Sequence, residues 1–314
     1  MATLVPERGT YHLDMVVLGR AGMDLYPEPV GTKTRDAVSF RADLGGSAGN
    51  IAVALARLGV RTGLIAPVSA DPAGDFVKRT LATVGVDHLT PVGLTDGSRT
   101  SLAIAETRLD DCEVVIYRNH AADLQLTKAM HVYAPTLIVT GTALASDPSR
   151  GATISALEET PFAVLDLDYR AYTWSSSVEA RSTYQKALRH TDLVVGNEDE
   201  FSLLADGSDP LIYARSIAKN HKLIIFKMGA EGSIALFPDG SEQAFGVFDV
   251  KVLKPFGAGD SFMGGLMSQL LKGSSVTDAI RYGSACAALV VSSPGCASAM
   301  PNSDQVLALM ESQK

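Results

Sequence analysis

Residues 257–260, Gly257-Ala258-Gly259-Asp260, put three small residues and one carboxylate where an irregular segment runs into an apolar helix. Downstream, Phe262, Leu266 and Leu270 interleave with Met263, Met267 and Leu271 at the spacing of a buried helical stripe, and Gly273 is suited to stop it. The first turn of a helix has unbonded N–H groups and a partial positive charge. Small residues let an anion approach that backbone closely. Amides that hold a phosphate beside a carboxylate that can take a hydroxyl proton are what phosphoryl transfer to an alcohol requires. Asp260 would also serve as a plain N-cap, so the decision falls to the rest of the chain.

Six other places carry candidate chemistry. Gly45-Gly46-Ser47-Ala48-Gly49-Asn50 opens a helix that ends near Leu58-Gly59. Its glycines are either a flexible start or a surface that a polyol can approach, with Asn50 bonding hydroxyls. Asp24 is expected at the carboxyl end of the first strand, where it would accept from sugar hydroxyls or cap a turn. Asn197-Glu198-Asp199-Glu200 follows a buried strand. Acidic residues there complement a helix dipole, or Asn197 and Glu200 hold Mg²⁺ through waters beside phosphates. Lys227, Gly229 and Gly232 lie in a connection between two β-like runs: an ordinary hairpin turn, or a backbone along which a nucleotide can lie. Arg118 and Arg170 each end an element; they are solvated surface groups or, facing one cleft, a carboxylate trap.

These residues need a scaffold. Strand candidates cover 15–19, 64–68, 137–141, 162–168, 193–196, 223–227 and 234–237; helical patterns cover 50–58, 74–84, 150–159, 178–189 and 211–220. Several strands are apolar throughout, as expected when both faces are covered. The alternation predicts an α/β fold, a mostly parallel sheet between helix layers, with ligands at the strands' carboxyl ends. Residues 25–44 and 99–118 break the alternation and predict a small antiparallel sheet projecting from a single domain over 1–314. A flap of that size needs a partner, the core beneath it or a second subunit.

The totals describe an ordinary globular protein. The chain has 314 residues, 46% hydrophobic and 20% charged, with a formal net charge of −8. That charge argues against nucleic acid or an anionic membrane as partner. No apolar run is long enough to span a bilayer, and the first residues lack the pattern of a signal peptide. Three widely spaced cysteines, Cys112, Cys286 and Cys296, show no metal-ligand spacing. The expectation is a cytoplasmic protein with reduced thiols. No GxGxxG follows the first strand, which removes a dinucleotide-binding dehydrogenase.

Taken in order, GGSAGN with its helix, NEDE, KMGAEG and GAGD resemble the ribokinase-like (PfkB) carbohydrate kinases over nearly the whole chain. The resemblance implies a βαβ sandwich with a projecting β-sheet lid, ATP as co-substrate and Mg²⁺. Within the family, DLDYRAYTW, YRNHAADLQL, LKPFGAGD and GCASAMP look like the 5-dehydro-2-deoxygluconokinases of myo-inositol breakdown; 2-keto-3-deoxygluconate kinases and fructokinases are the runners-up. By resemblance, Asp260 is the base, the amides of Gly257, Ala258 and Gly259 the anion hole, and Asp24, Gly45, Gly46 and Asn50 the sugar contacts. Arg118 and Arg170 match acid-binding positions, Asn197 and Glu200 the Mg²⁺–phosphate pair. Lys227, Gly229, Gly232 and the segment from Ser284 to Ala288 would border the nucleotide. Many members carry an Asp six residues before the base to help bind a monovalent cation. Here that residue is Lys254, which implies weak or no K⁺ activation. Paired lids imply a dimer. A non-catalytic sugar or nucleotide sensor on the same fold is the alternative of a different class.

Overall fold

A computed structural model describes residues 4–90, 92–127 and 133–313. The chain begins with β1 (Met15–Leu18), β2 (Gly22–Glu28), β3 (Ser39–Gly45) and α1 (Ser47–Arg57). β4 (Thr62–Ile65), α2 (Pro72–Thr83) and the short β5 (Asp87–His88) follow, then the hairpin β6 (Leu102–Ala105) and β7 (Val114–Tyr117). Next come β8 (Thr136–Thr140), α3 (Ser149–Glu159), β9 (Phe162–Asp166), α4 (Ser177–Leu188) and β10 (Leu193–Asn197). The chain continues with α5 (Glu198–Ala205), α6 (Pro210–Ala218), β11 (Leu223–Lys227), β12 (Ser233–Leu236) and β13 (Glu242–Phe245). It closes with α7 (Ala258–Leu271), α8 (Val276–Val291) and α9 (Ser303–Ser312).

The large sheet has the order β13-β12-β11-β10-β9-β8-β1-β4-β5. All its pairs are parallel except β11–β12 and β12–β13. The chain steps outward from β1 to β4 on one side and from β8 on the other, so the crevice at the carboxyl ends near β1 is where such a sheet receives ligands. Strands β1, β8 and β9 are buried at every residue, because helices cover both faces. Val17 faces a core with Ile51 and Leu55 of α1 and Met263, Leu266 and Met267 of α7. Val16 and Leu18 face the other layer, with Leu157, Ala187 and Phe201 of α3, α4 and α5.

Helix α7 is wedged tightly. A Cβ on Gly264 would stand 2.4 Å from Ala54 Cβ, and one on Gly265 2.8 Å from Cys286 Sγ. The absence of side chains there lets α1 and α8 close on α7 and fixes the position of its first turn. Leu266 is fully buried; its truncation to Ala would cost about 2–5 kcal/mol.

The small sheet has the order β3-β2-β6-β7. It is not fully antiparallel, contrary to the expectation: β2 and β6 pair in parallel, as do Asp24 and Ala103. Between β3 and β6 the chain runs through α1, β4, α2 and β5 of the main body, a crossover long enough to bring β6 back in the direction of β2. The sheet also begins earlier than 25, at Gly22, where a Cβ would meet Ser101 O at 2.4 Å. Among the described residues no helix is long and apolar enough to cross a membrane.

Candidate active site

Gly257 is the N-cap of α7 at φ +85°, a left-handed conformation that glycine adopts without penalty. No side chain caps this helix. Asp260 therefore does not act as a plain cap: its carboxylate accepts from Asn50 Nδ2 at 2.7 Å, tying the start of α7 to the start of α1. Burial and the neighbouring Asp168 charge push Asp260 up to about 7, opposed by the Asn50 hydrogen bond, Arg170 and Lys227. A carboxylate with that affinity for protons can take one from an alcohol near neutral pH.

Asp260 opens on a cavity of about 490 Å³ at the carboxyl ends of the parallel strands. The cavity brings together Asp24, Gly46, Asn50, Arg118, Arg170, Gly257 and Asp260, as the sequence suggests, and adds Arg20, Ser47, Asp168, Tyr172 and Phe256. Four buried polar atoms on its walls have no partner within the described protein: Asp24 Oδ1, Asn50 Oδ1, Ser47 Oγ and Arg118 Nη1. Buried polar groups are normally bonded, so this set of acceptors, donor and hydroxyl suits a polyhydroxylated ligand.

Asp24 is not at the end of β1. It lies within β2, opposite Asp43, because the small sheet starts before it. Burial raises its affinity for protons against the pull of Arg20, and Tyr26 Oη donates to its Oδ2 at 3.2 Å. Gly45, read as a sugar-approach residue, makes room for this carboxylate: a Cβ there would fall 1.8 Å from Asp24 Oδ1. Gly46, at φ +88°, packs its backbone on Arg20 O, 2.4 Å from the place of a Cβ.

The two arginines expected to form a carboxylate trap reach the cavity with their charges already partnered. Arg118 donates from Nε to Asp123 Oδ2 at 2.9 Å and from Nη2 to the same oxygen and to Thr142 O at 2.8 Å. Arg170 Nη2 pairs with Asp168 Oδ1 at 2.8 Å. Asp168 is itself held at φ +35°, uncommon for a residue with a side chain and typical of functional positions.

A second group lies beyond the cavity. None of Ala258, Gly259, Asn197, Glu200, Lys227, Gly229, Gly232, Ser284 and Ala288 is part of the lining. Lys227 Nζ is 3.8 Å from Asp166 Oδ1 and 3.3 Å from where a Cβ of Gly259 would be, so it abuts the start of α7. Burial alone would lower Lys227, but Asp166, Glu200, Asp260 and Asp168 together raise it. Burial drives Asp166 up to about 8 despite Lys227. Asn197 and Glu200 form a capping box at α5, with Asn197 N donating to Glu200 Oε2 at 2.7 Å and Glu200 N to Asn197 Oδ1 at 2.9 Å. Gly229, at φ +59°, has open space where a side chain would be; Gly232, at φ +95°, is required by β13, since its Cβ would strike Phe245 O at 1.9 Å. Ser284 is half-buried and Ala288 buried within α8. Among the described residues, no group of three or more His, Cys, Asp or Glu could hold a metal.

Lys254 is wholly buried under the same turn. Its Nζ donates to Phe256 O at 2.7 Å and lies 4.9 Å from the centre of the Phe256 ring. Burial lowers its affinity for protons, against the Cys296 and Asp260 charges. Sequence reasoning passed over Arg20 and Asp168. Arg20 reads as an ordinary loop arginine, although its place directly after the first strand was a usable signal.

Comparison with known proteins gives this geometry a family. The pattern of the pfkB family carbohydrate kinases matches residues 13–303. The 5-dehydro-2-deoxygluconokinase of Photobacterium profundum is 40% identical, with 96% of each chain covered. That of Lacticaseibacillus casei is 36% identical, with 95% of each covered. Among solved structures, a fructokinase double mutant from Vibrio cholerae, bound to fructose, ADP and a potassium ion, superposes with a TM-score of 0.82 at 27% identity, covering 96% of this chain and 99% of that one. A putative ribokinase II from E. coli, in complex with ATP and Mg²⁺, shares the fold with a TM-score of 0.85 at 21% identity, covering 96% and 100%. The chain thus belongs to the pfkB family of carbohydrate kinases.

Proposed function

We propose that this kinase transfers the γ-phosphoryl group of ATP to the 6-hydroxyl of 5-dehydro-2-deoxy-D-gluconate. The observation that carries the reading is Asp260: a carboxylate poised near neutral pH, bonded to Asn50 and open to a cavity with unpartnered acceptors and a donor. The names of the curated relatives supply the substrate.

In this reading Asp260 orients the primary hydroxyl and takes its proton as the oxygen attacks in line. The amides of Gly257, Ala258 and Gly259 face the transferring phosphoryl group at the positive end of α7. Asp24, Asn50 and the backbone of Gly46 hold sugar hydroxyls. Lys227, with Gly229, Gly232 and the Ser284–Ala288 side of α8, would border ATP, and Asn197 and Glu200 would hold Mg²⁺ through water. That ion offsets phosphate charge when bound. Positioning and electrostatics then supply most of the acceleration.

The small sheet acts as a lid that excludes water. A homodimer joined through two such sheets is part of the reading, supported by exposed Val38, Val115 and Tyr117 on edge strands and the adjoining loop. Lys254 supplies a fixed positive charge under the α7 turn, so K⁺ is not required.

Product analysis tests the assignment. ³¹P and ¹³C NMR after incubation with ATP·Mg²⁺ and the sugar acid should show one ADP per phosphomonoester, with phosphate on C6. Phosphate on another carbon, or ADP and inorganic phosphate alone, would refute it.

A further inference from the structure

Of the three arginines that line the cavity, one has no ion pair among the described residues. Arg118 is locked to Asp123, and Arg170 to Asp168 with its side chain 51% exposed. Arg20 is 9% exposed and makes one side-chain hydrogen bond, Nη1 to Ser101 Oγ at 3.2 Å. The fork of its guanidinium is otherwise uncommitted on the cavity wall. It attracts the carboxylate of Asp24 on the same wall without an ion pair or hydrogen bond to it, and Asp24 Oδ2 accepts from Tyr26 Oη.

A second observation converges on the same wall. Helix α1 starts at Ser47, after the N-cap Gly46, with no acidic residue in its first turn and no side-chain cap. Ser47 Oγ, in that turn, is buried without a partner. Gly49 N donates to Arg20 O at 3.1 Å, which fixes the arginine's backbone against the helix start. A guanidinium with no ion pair, a helix start with no side-chain cap and an unpartnered hydroxyl on one cavity wall form a receptor for a carboxylate.

We propose that Arg20, with the first turn of α1, binds the carboxylate of the sugar acid and is the residue that selects acids over neutral sugars. The proposal rests on the sugar-acid reading above. It moves the acid-binding role away from Arg118 and Arg170: the charge of Arg118 is already paired with Asp123, leaving only Nη1 unpartnered, and Arg170, paired with Asp168, has a side chain 51% exposed. Arginine here is not interchangeable with lysine, because only the fork can take both carboxylate oxygens.

The test compares kcat/KM for 5-dehydro-2-deoxygluconate and for fructose in the wild type, Arg20→Gln, Arg20→Lys and Arg170→Gln. Arg20→Gln should lower the acid-to-neutral ratio about a hundredfold, the scale of one lost charge-assisted hydrogen-bonded pair. Arg20→Lys should recover about tenfold of that, and Arg170→Gln should change the ratio less than about threefold. Should Arg20→Gln not fold, Ser101→Ala carries the same test, since it frees the guanidinium from its one anchor and should lower the ratio severalfold. A ratio kept in Arg20→Gln, or lost in Arg170→Gln instead, overturns the role of Arg20 and leaves the sugar-acid reading standing. A wild type that prefers fructose overturns the sugar-acid reading, and the Arg20 role with it.

Discussion

Where the large sheet meets the cavity, its strand ends and α7 present Asp168, Arg170 and Asp260, backed by Asp166 and Lys227. Where the small sheet meets it, β6 and β7 present Ala103, Ala105, Val114, Val115 and Ile116. The charged wall stands on strands with no exposed residue, such as β8 and β9. The apolar wall stands on a hairpin whose Val114 and Val115 are 48% and 46% exposed. Preorganised charge must be held still to stabilise a transition state, so it belongs on the buried sheet. An apolar cover must admit substrate and then exclude water, which suits a thin sheet with uncovered residues.

The sharpest way to break this division is at Asp260. Asp260→Asn should lower kcat by about 10²–10⁴-fold or more while ATP still binds by calorimetry; activity within a few-fold would remove Asp260 as the base. The apolar wall should behave differently. Ile116→Ser should raise KM for the sugar about tenfold and increase ATP hydrolysis without sugar, with kcat changed less. A kcat loss as large as that of Asp260→Asn would mean that the hairpin does more than cover. The charged wall also sets the pH dependence. A base that must be ionised, with its pKa near 7, makes log kcat/KM rise with pH up to about 7 and level off above it. A flat profile from pH 5.5 to 8 would contradict the charge field described.

Two smaller effects sharpen the comparison. Replacing Na⁺ by K⁺ should leave kcat unchanged within about twofold, since in the proposed reading Lys254, whose Nζ donates to Phe256 O, takes the place of the cation; a severalfold rise would show that a monovalent cation is still needed. Stability should run opposite to activity. Asp260 binds its proton more tightly folded than unfolded, so its stabilising contribution is complete below about pH 4 and is lost as pH rises through about 7. Asp260→Asn should therefore raise Tm by a few degrees at pH 8 and by less at pH 5. An equal shift at both values would refute that linkage.

The large sheet and the start of α7 were legible because their signals are local. Apolar runs such as Thr136–Thr140 and Phe162–Asp166 read as buried strands, and Gly257 to Gly273 carries its own start, stripe and stop. The edge strand β13 was not legible: Glu242, Gln243 and Ala244 are exposed and have no β pattern, and pairing with β12 alone makes them a strand. The cavity's chemistry divides the same way. Asp260, Asn50 and Gly46 announce themselves by motif. The pairing of Arg118 with Asp123, the left-handed backbone of Asp168 and the lack of an ion pair at Arg20, which bonds Ser101, depend on which distant segments pack together. Gly45 shows the limit from the other side, since it clears space for a carboxylate in a strand that the sequence did not place beside it.

The central claim, a kinase for a sugar acid, is tested most directly by coupled ADP release with ATP·Mg²⁺. The substrates are 5-dehydro-2-deoxygluconate, 2-keto-3-deoxygluconate, fructose and ribose. The account predicts a kcat/KM at least about tenfold higher for the first, about 1.4 kcal/mol of transition-state discrimination. Preference for 2-keto-3-deoxygluconate would keep the mechanism and contradict the substrate, and preference for a neutral sugar would contradict the reading of the arginine-lined cavity.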